Sequence, residues 1–245
     1  MLLTLDHITK RFPNGTLALD DVSFAVAAGE FLSLVGPSGC GKSTALRLIA
    51  GLSQANAGAI EWAGTKPALG FVVQDAALRP WTTVEKNVRL PLELAGLDDA
   101  KIKTRTAEAL DLVGLSTFAK SYPRELSGGM RMRVSIARAL AAEPSILLMD
   151  EPFAALDELT RERLNDELRE LWAAKKLTIV FVTHSIYESV YLASRVVVMS
   201  PRPGRVVADL AMPDPKTRDP DFRLTPAYGE RCRQLRAALM TGEAA

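Results

Sequence analysis

The sequence predicts an α/β protein built on a parallel β-sheet, and three stretches carry that reading. Phe31-Leu32-Ser33-Leu34-Val35, Ile146-Leu147-Leu148-Met149 and Leu177-Thr178-Ile179-Val180-Phe181-Val182 are short apolar runs. Runs of this kind read as strands buried on both faces of a parallel sheet. In such sheets ligands bind at the carboxyl edge of the strands. At those edges the chain places a glycine-rich turn after Val35, the carboxylates Asp150 and Glu151 after Met149, and His184 shortly after Val182.

The elements follow in order. Residues 2–9 and 17–26 read as antiparallel strands, Leu3, Leu5 and Ile8 facing Val22, Phe24 and Val26, with Pro13-Asn14-Gly15 as the turn. His7, on the first of them, is expected to be structural. After the glycine-rich turn, Ala45 to Ala50 is helical in composition and is stopped by Gly51. Ala59 to Ala63 and Phe71 to Val73 add short strands. From about Ala76 to Ala142 the pattern is helical, with Val84 to Leu94, Lys101 to Val113 and Arg131 to Ala142, the last ended by Glu143-Pro144. Strands and helices then alternate to about Leu210. Among them Thr160 to Ala174 is an amphipathic helix with Leu164, Leu168 and Leu171 on one face. Met212-Pro213-Asp214-Pro215-Lys216 reads as a linker, because prolines cannot continue a strand ladder. Thr225-Pro226 starts a final helix whose Tyr228, Cys232, Leu235 and Leu239 form a packing stripe.

The chemistry lies between these elements. Gly36-Pro37-Ser38-Gly39-Cys40-Gly41-Lys42-Ser43-Thr44 fits the pattern G-x-x-x-x-G-K-[ST] between a strand and a helix. Its glycines let backbone N–H groups close around phosphate oxygens, which a Cβ would obstruct. Lys42 supplies a point charge to the β- and γ-phosphates, and Ser43 a hydroxyl to Mg²⁺. An ordinary glycine turn would not need lysine, hydroxyl and helix in register. Leu126-Ser127-Gly128-Gly129-Met130 makes a second anion cradle before a helix; taken alone, Ser127 reads as a helix cap. Asp150 is placed to hold Mg²⁺ and Glu151 to polarise an attacking water. Two adjacent acids ending a buried strand are costly unless metal or substrate satisfies them.

With these parts in this order, the chain resembles the nucleotide-binding subunit of ABC transporters over nearly its whole length. The resemblance implies a P-loop NTPase (RecA-like) core with an N-terminal antiparallel β subdomain and an inserted α-helical subdomain. Phe12 stands where an aromatic residue stacks on adenine, and Gly36, Pro37, Ser38, Gly39, Cys40, Gly41, Lys42, Ser43 and Thr44 match the first phosphate loop. Gln74 matches the Q-loop glutamine, a ligand to Mg²⁺ and a catalytic group. Ser127, Gly128 and Gly129 match the signature loop, Asp150 and Glu151 the second nucleotide motif, Asp157 the D-loop, and His184 the switch histidine, a contact to the γ-phosphate. The implied cofactors are ATP and Mg²⁺. The implied partners are a second copy of the chain in an ATP-sandwich dimer, transmembrane permease subunits and, indirectly, a periplasmic or extracellular solute-binding protein. The implied location is peripheral, at the cytoplasmic face of the inner (plasma) membrane. One domain is expected over residues 1–245, with a core of about 1–75 and 144–210, a helical subdomain of about 76–143 and a C-terminal helical extension of about 211–245.

Composition narrows the function further. A net charge of +1 gives no case for nucleic acid, and two cysteines, Cys40 and Cys232, are too few for a disulfide framework. Packing is the expected role of Cys40. The longest apolar runs fall short of the ~20 residues a membrane span needs, and the start lacks the pattern of a secretory signal. Gln74-Asp75-Ala76-Ala77-Leu78-Arg79-Pro80-Trp81 and Ser200-Pro201-Arg202-Pro203-Gly204-Arg205 are similar to importers of nitrate, taurine and alkanesulfonates. Pro80-Trp81 is therefore expected both to turn the chain into the helical subdomain and to offer a permease an apolar surface. Met130 and Met132 stand where many relatives of the family carry glutamine. A GTP switch would need an Asn-Lys-x-Asp guanine reader, which the sequence lacks. The ATPase subunit of an ABC exporter, or of an importer for a different solute, shares the same chemistry, and a soluble ABC ATPase not linked to transport is the more remote alternative.

Overall fold

Two strands open the chain, β1 (Leu3–Arg11) and β2 (Leu17–Val26), in a computed structural model that describes residues 1–212 and 218–243. Their antiparallel register pairs Leu3 with Val26, Leu5 with Phe24 and Ile8 with Val22, the facing expected from the apolar alternation. Then come β3 (Phe31–Val35), buried at every residue, and α1 (Lys42–Ala50), closed by Gly51 at a φ of 80°. The strand β4 (Ala57–Trp62) adds to β1, two residues earlier than the composition suggested. His7 stands at a β1 irregularity with a φ of 51°, exposed, its Nδ1 2.5 Å from Asp21 Oδ1. Gly58 of β4 accommodates that irregularity: a Cβ there would come within 2.3 Å of the His7 carbonyl oxygen.

Chain contacts divide the molecule into two compact units, residues 1–66 with 165–245, and residues 67–164. In the second unit β5 (Leu69–Val72) pairs parallel with β6 (Ile146–Asp150), Val72 beside Met149. Between them lie α2 (Val84–Leu94), α3 (Asp99–Leu112) and α4 (Gly128–Ala141). Each helix starts on a side-chain cap, Thr83, Asp98 and Ser127 respectively, which takes up one of the otherwise orphaned N–H groups. Gly70 lets β5 lie against α4, since a Cβ would sit 3.2 Å from the Ala139 carbonyl oxygen. Residues 158–164 of the helix α5 (Glu158–Lys175) belong to this unit and residues 165–175 to the first, and Leu164, Leu168 and Trp172 are buried.

In the first unit β7 (Thr178–Thr183) and β8 (Arg195–Met199) flank β3 in parallel, and β9 (Val206–Ala211) joins β8 antiparallel. Between β7 and β8 lies α6 (Ile186–Leu192), and α7 (Pro226–Glu243) follows the proline-led start expected at Thr225-Pro226. Tyr228 and Leu235 of α7 are buried, whereas Cys232 and Leu239 are half-buried. Most of the stretch read as a linker, residues 213–216, lies outside the described residues. The apolar side chains of β3, β7 and β8 form the core, each worth about 1.5–3 kcal/mol of burial. No helix among the described residues is long and apolar enough to cross a membrane.

Candidate functional site

The loop from Gly36 to Gly41 is shaped by contacts that only glycine tolerates. A Cβ at Gly36 would lie 2.7 Å from the Met199 carbonyl oxygen, and one at Gly41 2.7 Å from that of Ala18. Gly41 also caps α1 with a φ of 111°, so the helix opens with its N–H groups bare of a side-chain cap. That is the geometry an anion needs. Lys42 is 3% exposed, and its Nζ donates to the carbonyls of Gly36 at 2.7 Å and Pro37 at 2.9 Å. Ser38 and Gly39 are exposed, Pro37, Ser43 and Thr44 half-buried, and Cys40 fully buried. Burial pushes the Cys40 thiol pKa up, against the pull of the Lys42 ammonium.

The same unit brings His184 to this edge. Val35 of β3 pairs with Thr183 of β7, so the phosphate loop and His184 leave the sheet side by side. His184 is exposed, and the turn around it is fixed. The Ser185 N–H donates to Thr183 Oγ1 at 3.0 Å, the Thr183 hydroxyl donates to Glu188, and Ser185 caps α6 through the Glu188 N–H. Phe12, 37% exposed, presents its ring at the end of β1 and the turn that follows, with Lys10 Nζ 5.5 Å from the ring centroid.

The second unit gathers the remaining residues. Because Val72 pairs with Met149, Gln74 and the Asp150–Glu151 pair emerge from one edge of β5 and β6. Asp150 is buried at 8% exposure, and Glu151 adopts a φ of 46° as the chain turns away from β6. Ser127 caps α4 by accepting from the Met130 N–H at 3.2 Å, so it serves as a cap and also stands in the expected anion cradle. Gly129 is buried, and a Cβ there would come within 2.8 Å of Thr160 Cγ2; Gly128 is half-buried. Asp157 is exposed and accepts from the Thr160 N–H at 3.0 Å, a bond that holds its carboxyl below the usual range.

Two arginines hold backbone carbonyls at these edges, a role the sequence did not signal for either. Arg138 of α4 donates to the carbonyls of Ala76 and Ala77, both at 2.9 Å, and so fixes the chain just after Gln74. Burial lowers its pKa. Arg202 donates to the Gly39 carbonyl from the turn after β8. Arg138 carries no local motif, Arg202 stands in the Ser200–Arg205 stretch already noted in the sequence, and only the folded chain brings the two to these carbonyls.

Comparison with known proteins gives the geometry its relatives. The ABC transporter family model matches residues 19–154. A Brucella abortus protein named only for ATP binding is 45% identical over 92% of this chain and 88% of its own length. The aliphatic sulfonates import ATP-binding protein SsuB of Bacillus subtilis is 46% identical over 84% of this chain and 82% of its own. Among solved structures, a dimeric post-hydrolysis state of the ATP-binding cassette MJ0796, bound to ADP and Pi, superimposes with a TM-score of 0.76 at 32% identity. It covers 86% of this chain and 99% of that one.

Proposed function

This chain belongs to the ABC transporter family, and from that membership we propose that it is the ATP-hydrolysing subunit of an importer for sulfonate-type small anions. The observation that carries the ATP reading is the loop from Gly36 to Gly41, closed so tightly that no Cβ fits at Gly36 against Met199 or at Gly41 against Ala18, with Lys42 held on its carbonyls. The observation that carries import is the likeness to the Bacillus subtilis sulfonate import protein across most of both chains.

In this reading the loop N–H groups and Lys42 hold the phosphates, and Phe12 stacks on the base. Ser43, Gln74 and Asp150 would hold Mg²⁺: hydroxyl, amide and carboxylate oxygens are hard donors that suit it. Bound there, Mg²⁺ would offset charge on the phosphates. Glu151 takes the proton of the attacking water onto its carboxylate as ATP becomes ADP and phosphate, and His184 contacts the γ-phosphate. Ser127, Gly128, Gly129 and Asp157 serve the nucleotide held by a second copy of the chain. The dimeric MJ0796 cassette supports that assembly.

The permease partner is proposed to dock on the second unit, where Trp81 is 74% exposed. The same unit carries a shallow groove of about 220 Å³ lined by Phe71, Leu90, Pro91, Leu94 and Arg138 among others. A solute-binding protein outside the membrane and a location at its cytoplasmic face complete the proposal. The test is phosphate release from purified protein with Mg-ATP, joined to growth of a deletion strain on an alkanesulfonate as sole sulfur source. Activity with normal growth on alkanesulfonate would keep the ATPase and remove the solute.

A further inference from the structure

We propose that Arg202 is a positioning residue for ATP, acting through the phosphate loop, and that the turn 199–205 is the surface that gives that loop its shape. The proposal rests on the ATP-binding reading above.

Three contacts join the turn to the loop. Gly36 lies so close to Met199 that a Cβ would stand 2.7 Å from its carbonyl oxygen. Gly204 lies closer still to Cys40, where a Cβ would stand 2.1 Å from the carbonyl oxygen. Between them the Arg202 guanidinium donates to the Gly39 carbonyl through Nε at 3.1 Å and Nη2 at 3.0 Å. The turn is itself anchored. Gly204 exchanges backbone hydrogen bonds with Ala18 and Asp20, both at 3.0 Å, and Arg205 Nε bonds Asp20 at 3.0 Å. Inside the turn Ser200 Oγ accepts from the Arg205 N–H at 3.0 Å and donates to the Pro203 carbonyl at 3.1 Å. Ala18, in turn, borders Gly41 on the other side of the loop.

A phosphate loop works by turning N–H groups inward, which obliges carbonyls to turn outward. Gly39 is the weak point, because it is exposed and, as a glycine with a φ of 75°, has no Cβ to restrict its flanking peptides. Besides Arg202, the bond from the Cys40 N–H to the Pro37 carbonyl at 3.3 Å holds the peptide that follows it. Rotation of the peptide that joins Gly39 to Cys40 would aim the carbonyl dipole at the bound anion. Two donors from one planar guanidinium hold that carbonyl outward. A loop already set in its binding shape loses less entropy on taking up ligand. Arg202 touches no reacting atom in this scheme, so its effect belongs in affinity and not in turnover.

The experiment compares the parent chain with Arg202→Ala and Arg202→Lys, measuring ATP affinity by fluorescent-nucleotide titration, KM and kcat by phosphate release, and Tm. Arg202→Ala is expected to raise Kd and KM about fivefold, the scale of one charged hydrogen bond partly transmitted, with kcat within about twofold. Its Tm should match the parent's, because Arg202 is exposed. Arg202→Lys keeps the charge but not the fork, and should recover only part of the affinity. Gly204→Ala should weaken ATP more than Arg202→Ala, since it forces Cys40 to move. An Arg202→Ala protein with parental KM overturns the proposal. So does full recovery by Arg202→Lys, which would make the effect one of charge alone, or a loss of kcat at unchanged KM. A parent chain that neither binds nor hydrolyses ATP would instead fell the reading beneath it.

Discussion

Lys42 is held by the loop it serves, with its ammonium on the carbonyls of Gly36 and Pro37. Its removal should therefore act twice, taking the cation from the β- and γ-phosphates and leaving two carbonyls of the loop without their donor. Lys42→Ala is expected to abolish hydrolysis and to weaken nucleotide binding at least about tenfold, as charged hydrogen bonds do when lost. Titration of mutant and parent with nucleotide checks this, and equal affinity would remove the phosphate-loop assignment. Cys40 illustrates a second residue-level consequence. Its burial within the loop pushes the thiol pKa up, so little thiolate exists near pH 8 and access is closed. Alkylation of the native protein at that pH should spare Cys40, while alkylation in denaturant should label it; mass spectrometry of the peptide carrying residue 40 decides. Labelling of Cys40 in the native state would show an open loop.

At the scale of elements, the loop between β5 and α2 is built for display. Asn87, buried, accepts from the Arg79 N–H at 2.7 Å and donates to Arg79, Thr82 and Thr83, so the chain on either side of Trp81 is pinned while the indole itself stays exposed. An aromatic side chain presented from a fixed loop makes a good interface anchor. Trp81→Ala should lower co-purification with the permease and transport, while nucleotide binding by the isolated chain stays within about twofold. Normal transport would leave Trp81 without a docking role. The C-terminal segment shows the opposite logic. Arg218, 2% exposed, donates to the carbonyls of Val190, Tyr191 and Ala193, closing the C-terminal end of α6. Arg218→Ala should cost about 3 kcal/mol, since three buried carbonyls lose a charged donor. Urea unfolding would register it, and an unchanged midpoint would show water replacing the guanidinium. The strands β1, β3, β6 and β7 were legible because apolar periodicity and burial are the same signal, and α2 because the pattern over residues 84–94 is helical, although its Thr83 cap emerged only in the folded chain. Arg218 was not legible, because the carbonyls it caps lie 25 or more residues away and its sequence neighbours are prolines and charges.

For the molecule as a whole, the order of motifs could be read from the chain, but their grouping could not. The helices of about 76–143 stand out by composition, whereas the compact unit takes in residues 67–164 because β5 and β6 pair with each other and Gly70 admits α4. The phosphate loop and His184 thus fall in one unit, and Gln74, Ser127, Asp150, Glu151 and Asp157 in the other. A single chain carries one phosphate loop and one Ser127-Gly128-Gly129 cradle, and a sandwich of two chains would use each against the other's nucleotide. Glu151→Gln separates the binding that closes such a sandwich from the chemistry that opens it. Glutamine keeps the shape of the side chain but cannot take a proton from water, so the base is lost. Asp150 and Lys42 remain, so Mg-ATP should still bind. With the γ-phosphate persisting, the mutant should elute as a dimer in Mg-ATP and as a monomer without it, a state the parent reaches only in passing. Phosphate release should fall at least about a hundredfold, the low end of what a general base supplies. Near-parental release would rule out Glu151 as the base. A mutant that binds ATP yet stays monomeric would count against the shared site.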